Sequence, residues 1–333
     1  MLLTASLLLR CMSKLIGFID ADHMGKDLSK CFPNLPLMKL SAFHKSMGDK
    51  CEWVNYRHIY DLVYCSKVFS FTREIQAPIR ANRIITGGSG YSIKLERERE
   101  SFDTVNHTNL PDEIEHIYPD YSLYGITNTA YGFLSRGCPR GCAFCHVAAK
   151  EGKRSYKVAN LSEFWRGQKY IELMDPNTFA CKDWEDLLDQ LIDSKAYVNF
   201  NQGVDIRLMT PAKIEKLSQV KVKGVHFAWD RYEDKELITK KLRWFKEITG
   251  WDRHKVTVYI LINFNSTFAQ DLERVEFCKG LGFQPYIMRY NKQSLKRGDL
   301  KNALARYVNT PRIFWKCETF EQYYKEQKEG FWR

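Results

Sequence analysis

The chain has 333 residues, 44% of them apolar, so it can bury a sizeable core and is long enough for about two domains. Lys and Arg exceed Asp and Glu by 51 − 40 = 11, a diffuse excess that favours an acidic partner. The ten cysteines are scattered apart from one group of three, which argues against a secreted disulfide framework and for a reducing, cytoplasmic setting. Charges interrupt every hydrophobic run before the roughly 20 apolar residues a membrane span needs, so no membrane association is expected.

The opening run MLLTASLLLRC lacks a basic start and a small-residue cleavage site, so it does not read as a signal peptide. Met12 directly precedes SKLIGFID and is an alternative start. From Leu15 the pattern is strand (LIGFID), helix (LPLMKLSAFHKSMG), short strand (EWV) and continuous apolar strand (DLVYCSKVF), which implies a parallel sheet between helices. IITGGSGY adds a strand ending at Gly87, Gly88 and Gly90. These glycines lack the G-x-G-x-x-G spacing of a phosphate loop and read as a turn needing positive φ. Residues 14–95 are therefore expected to form a small Rossmann-like parallel α/β domain.

Residues 96–128 are charged and then Pro-punctuated, without a strong period, and read as a linker. From 129 the alternation returns as YGFLSRG, YIELMD, AYVNFNQG, KGVHFAWD, KVTVYILINF and FQPYIMRY with helical segments between them. Six strands over 129–292 predict a partial (β/α)₆ TIM-type barrel, whose site would lie at the C-terminal ends of its strands. Polar residues there are Cys138, Asp175, Asn177, Asn201, Gln202, Asp230, Arg231, Asn263 and Asn265, while Trp229 reads as core. Residues 293–333 read as a basic helical tail. Its mixture of Lys and Arg with Tyr307, Phe314 and Trp315 makes RNA a candidate partner, although a solvated amphipathic helix gives the same pattern.

RGCPRGCAFCHV places Cys138, Cys142 and Cys145 at C-x₃-C-x₂-C spacing, compact enough for one loop to present three thiolates to three irons of one cubane. The next cysteine is Cys181, so one iron would be left open to chelate a small molecule. Three other readings fit parts of the motif. Cys142–His146 matches the C-x-x-C-H of c-type haem attachment, which leaves Cys138 idle. Zinc held by the three cysteines and His146 would be a closed four-ligand site, although adjacent Cys145 and His146 cannot easily both reach one tetrahedral ion. A cluster serving only electron transfer or structural support is the third.

The run Cys138-Pro-Arg-Gly-Cys142-Ala-Phe-Cys145 resembles the signature loop of the radical S-adenosylmethionine superfamily. The resemblance covers roughly residues 130–292. It implies a [4Fe–4S] cluster on the three cysteines, with Phe144 near the adenine of S-adenosylmethionine. It also implies reductive cleavage of that cofactor to start radical chemistry on an unidentified substrate, as in methyl- or methylthiotransferases, with an electron donor such as flavodoxin or ferredoxin. Where relatives carry Gly-Gly-Glu after the second strand, this chain has Leu173-Met-Asp175-Pro-Asn177, so Asp175 or Asn177 would receive the methionyl ammonium. Gln202 and Asp205 would reach ribose hydroxyls or the carboxylate, and Asn263 is a further binding candidate. The leading domain resembles cobalamin-binding-type domains. Asp20-Ala-Asp22-His23-Met24-Gly25 departs from their Asp-x-His-x-x-Gly pattern, so cobalamin is not expected. The alternative from another class is a non-catalytic nucleic-acid-binding protein stabilised by a metal or an iron–sulfur cluster.

Overall fold

The computed structural model describes residues 13–96, 99–105, 107 and 109–332. The run ending at Met12 lies outside them. Two compact units are present: one extends to Thr129 and includes Ser162–Arg166, and the other comprises Ala130–Leu161 and the chain from Gly167 onward.

The first unit is built on β1 (Leu15–Asp20), α1 (Leu35–Ser46), β2 (Lys50–Trp53), β3 (Leu62–Ser66) and β4 (Ile84–Gly87), with sheet order β2-β1-β3-β4 and every pairing parallel. Apolar residues occur on both faces of β1, as parallel strands covered on both sides require. Ile16 and Phe18 pack with Leu37 and Leu40, and Ile19 packs with Tyr60, Val63 and Cys65. Asn34 starts α1 by accepting from the Leu37 N–H at 3.3 Å. Gly88 does adopt positive φ, +98°, and an added Cβ would meet the Lys67 carbonyl oxygen at 2.4 Å.

The segment expected as a linker packs within this unit. Ile114 belongs to the core with Ile16 and Phe18, and Leu110 and Leu123 pack against it. The Tyr124 hydroxyl donates to Asp20 at 2.7 Å. A few well-spaced apolar residues suffice for such packing, and charges between them obscure it in the sequence.

The second unit carries β5 (Thr129–Gly132), β6 (Tyr170–Leu173), α2 (Trp184–Ser194), β7 (Tyr197–Val204), α3 (Pro211–Ser218), β8 (Val222–Ala228), α4 (Lys235–Thr249), β9 (Val256–Ile262), α5 (Phe268–Gly280) and β10 (Gln284–Arg289). The sheet order is sequential, β10-β9-β8-β7-β6-β5, and β6 to β10 pair in parallel. Period-2 burial separates its faces. Val198, Phe200, Val225, Phe227, Val258 and Ile260 are buried, and Phe227 meets Phe245 of α4 edge-on with ring centres 4.8 Å apart. The buried set therefore faces the helices, and Glu172, Asn199, His226 and Tyr259 alternate onto the opposite face.

The last segment is packed into this unit. In α6 (Leu300–Val308), α7 (Pro311–Phe314) and α8 (Phe320–Lys328), the side chains of Leu304, Tyr307, Phe314, Phe320 and Tyr323 are buried. Asn309 completes the edge of β10, accepting from Ile287 N–H at 2.7 Å and donating to Ile287 C=O at 2.9 Å. Tyr307 and Phe314 are thus core residues rather than exposed platforms for bases. Trp315 donates to Gln284 Oε1 at 2.7 Å. Among the described residues, no helix is long and apolar enough to cross a membrane.

Candidate functional site

The cysteine loop is shaped by its glycines before any ligand is considered. Gly137 has φ +79°, and a Cβ there would lie 2.1 Å from the Arg154 carbonyl oxygen, so only glycine lets the chain pass. Gly137 N–H donates to Glu151 at 3.0 Å, Arg136 pairs with the other oxygen of Glu151 at 3.1 Å, and Cys138 N–H donates to Gly152 C=O at 3.2 Å. Gly141 also has positive φ, +58°, and Cys145 N–H closes a turn onto Cys142 C=O at 3.0 Å. All three cysteines are free thiols. Cys138 and Cys142 are half-buried and Cys145 is exposed.

Three contacts and one electrostatic neighbour relate this loop to the C-terminal ends of successive strands. Beyond β6, Asn177 donates its amide N–H to Cys138 Sγ at 3.5 Å. Beyond β7, Asp205 accepts from Arg140 Nε at 2.5 Å. Beyond β8, Asp230 is among the charges acting on Cys142, whose thiol is pushed up chiefly by burial and further by Cys145 and Asp230. Beyond β9, Phe264 meets Phe144 edge-on at 5.3 Å, and Tyr290 continues the ring chain at 5.0 Å.

The expected site residues divide by what their polar atoms already do. Asp175 is buried and accepts from Leu134 N–H and Ser135 N–H, each at 2.7 Å, from Ser135 Oγ at 2.6 Å and from Thr178 Oγ1 at 3.3 Å. Its carboxylate holds the strand that leads into the loop, and burial pushes its pKa up to about 6 despite these donors. Asn177 is buried, and its Oδ1 has no partner. Asp205 also takes Arg207 Nε at 2.7 Å, and Arg207 continues to Asp234 at 2.7 Å. Asn263, at φ +65°, donates to Tyr290 C=O at 2.9 Å and Ser294 Oγ at 3.1 Å and accepts from Lys301 at 3.0 Å. Gln202 is exposed beside the irregular stretch between Phe200 and Val204. Arg231 is paired with Glu233 at 3.6 Å, Asn265 donates to Glu233 at 3.3 Å, and Trp229 is core as expected. Asp230 keeps a buried Oδ1 without a partner, and burial pushes its pKa up to about 6.

Two features escaped the sequence. Arg274, fully buried, donates to Trp229 C=O at 2.6 Å, Leu261 C=O at 3.0 Å and Asp271 at 2.6 Å, tying the ends of β8 and β9 together. On the helix-free face, Glu172 Oε2 accepts from Asn199 and Asn201, each at 2.7 Å. Asn201 and Glu172 each lie next to an apolar neighbour of ordinary strand pattern, and only the register aligns them.

No protein-family model matches the chain, and no curated protein matches it. Structures of SuiB from Streptococcus suis are similar to it. SuiB itself shares 16% identity over 45% of this chain and 37% of that chain, with a TM-score of 0.34. SuiB bound to its precursor peptide SuiA shares 14% over 56% and 46%, with a TM-score of 0.39. SuiB bound to S-adenosylmethionine shares 14% over 44% and 36%, with a TM-score of 0.32. The chain thus spans less than half the length of each SuiB chain.

Three free thiols in one loop are soft donors of the kind an iron–sulfur cluster takes. In a cubane each thiolate binds a different iron, so three free thiols spread along one loop are an appropriate set. Asn177, donating towards Cys138, supplies the sulfur-directed hydrogen bond by which proteins orient such ligands.

Proposed function

We propose that this protein is a radical S-adenosylmethionine enzyme. In this reading the second unit is a partial (β/α)₆ barrel, and the first is a Rossmann-like domain whose β2-β1-β3-β4 order is that of flavodoxin-like sheets. The observation that carries it is the cysteine loop, whose contacts involve residues just beyond three of the parallel strands: Asn177, Asp205 and Phe264. Cys138, Cys142 and Cys145 would hold a [4Fe–4S] cluster, which together with S-adenosylmethionine would supply reductive cleavage of that cofactor to start radical chemistry.

The protein's own residues bind and position. Asn177 Oδ1, buried and unpaired, is suited to accept from the methionyl ammonium. Asp175 holds Leu134 and Ser135 and so fixes the approach to Cys138 instead of meeting the cofactor. Arg140 and Asp205 tether the middle of the loop. The rings of Phe144, Phe264 and Tyr290 form a contiguous chain beside it, with Phe144 available to the adenine. Asn263 shapes the turn after β9 through its three bonds, and Gln202 is left accessible for ribose or substrate. A cytoplasmic setting with a flavodoxin or ferredoxin as reductant fits this chemistry, and no cobalamin step is proposed.

Anaerobic reconstitution with iron and sulfide, followed by dithionite and S-adenosylmethionine, should yield 5′-deoxyadenosine. Cys142→Ala should lose both the cluster's absorbance and cleavage. A reconstituted parent protein that leaves the cofactor intact overturns the proposal.

A further inference from the structure

A parallel sheet normally reads as apolar on both faces. The second unit departs from this, because the face away from its helices is half-exposed and carries polar and aromatic side chains. At one side Glu172 is held by neighbours: Oε2 accepts from Asn199 and Asn201 at 2.7 Å each, and Lys223 lies 3.6 Å from Oε1. Gly224 leaves room for this arrangement, since a Cβ there would lie 2.5 Å from Asn199 Oδ1. At the other side His226 and Tyr259 stack in parallel, with ring centres 5.2 Å apart and planes 9° apart, and Tyr286 meets Tyr259 edge-on at 5.8 Å.

The protonation of His226 is set by its neighbour. Its Nδ1 lies 2.7 Å from Phe200 C=O, which can only accept, so Nδ1 carries the proton and Nε2 of the neutral ring is an acceptor. Burial also lowers the pKa of His226, which keeps the ring neutral. Beyond the end of β8, Asp230 carries a buried Oδ1 without a partner. Glu172 already has partners in Asn199, Asn201 and Lys223, so the rings and His226 Nε2 are what an occupant would meet. It should offer a flat π-face to the rings and N–H donors at its edge.

Resting on the radical-enzyme reading above, we infer that this face binds a nucleobase as the substrate group. The excess of 11 positive charges suits the phosphates to which such a base is attached, and aromatic stacking tolerates any base. An indole side chain of a peptide has a similar face but a single N–H and no anionic backbone.

Guanosine, cytidine and N-acetyltryptophanamide are titrated into the full chain, with and without saturating S-adenosylmethionine, and binding is read by calorimetry. This assay needs no cluster turnover, so it fails independently of the 5′-deoxyadenosine test. Guanosine should bind saturably whether or not S-adenosylmethionine is present, and Tyr286→Ala should weaken it about ten-fold. Tyr286 is 44% exposed, so this truncation spares the core, and His226→Asn serves as a second variant expected to weaken binding. Nucleosides that fail to bind, tryptophanamide binding in their place, full displacement by S-adenosylmethionine, or unchanged affinity in both variants would each overturn the inference.

Discussion

Arg140 Nε and Asp205 Oδ2 lie 2.5 Å apart, joining the middle of the cysteine loop to the segment that follows β7. The two partners are unequal. Arg140 is partly exposed at its side chain, whereas Asp205 is 7% exposed and also holds Arg207.

Arg140→Ala should therefore cost no more than about 1 kcal/mol, because a solvent-screened partner contributes little. Asp205→Ala should cost about 3 kcal/mol, because it leaves Arg207 half-buried with only Asp234. Urea unfolding of the two variants measures the difference. Equal costs would show that the loop contact, and not the Arg207 network, dominates.

Gly137 and Gly141 make a matched pair of tests. Both have positive φ, but a Cβ on Gly137 meets the Arg154 carbonyl at 2.1 Å, and on Gly141 the nearest atom is Lys153 Cε at 3.8 Å. Gly141→Ala should cost about 1 kcal/mol, the ordinary penalty of that backbone conformation. Gly137→Ala should cost at least about 3 kcal/mol, since backbone must also move. Thermal unfolding, with iron content after reconstitution as a second reading, separates them.

The apolar runs that made the strands legible are most continuous where parallel pairing buries them, as in Val256–Ile262 and Leu62–Ser66. The cysteine loop was legible because thiol spacing is local. Roles that depend on distant partners were not. Asp175-Pro-Asn177 reads as a turn or a ligand site, and only the fold brings Leu134 and Ser135, 41 and 40 residues earlier, onto the Asp175 carboxylate. The basic C-terminal segment misled in the opposite way. Its charges point outward while Tyr307, Phe314 and Phe320 are buried, and composition does not distinguish a solvated tail from the outer layer of a domain.

Asp175 should leave a signature in the pH dependence of stability. Its folded pKa is raised, from 3.8 to about 6, so between about pH 4 and pH 6 the folded state binds more protons than the unfolded. Stability from this group is greatest below about pH 4 and declines as pH rises through about 6, by at most about 3 kcal/mol. Asp175→Asn cannot ionise. Relative to the parent chain it should gain stability as pH rises from 4 to 7, although it begins lower because one of its accepting oxygens has become a donor. Urea midpoints at three pH values test the sign, and parallel curves for the two proteins would refute it.

Arg274 and Asp271 are both fully buried and lie 2.6 Å apart, so neither is screened by water. Arg274→Met removes donors from Trp229 C=O and Leu261 C=O and strands the Asp271 carboxylate, at a cost of about 3–5 kcal/mol. Asp271→Leu alone strands the guanidinium and should cost a similar amount. The double variant Asp271→Leu/Arg274→Met removes both charges together and should be markedly more stable than either single variant, because the desolvation penalty disappears with the pair. The two carbonyls still lose their donor, so recovery should stop short of the parent chain. A double-mutant cycle by chemical denaturation measures this coupling. Additive losses would mean that the pair acts through packing alone, and that the ends of β8 and β9 do not depend on it electrostatically.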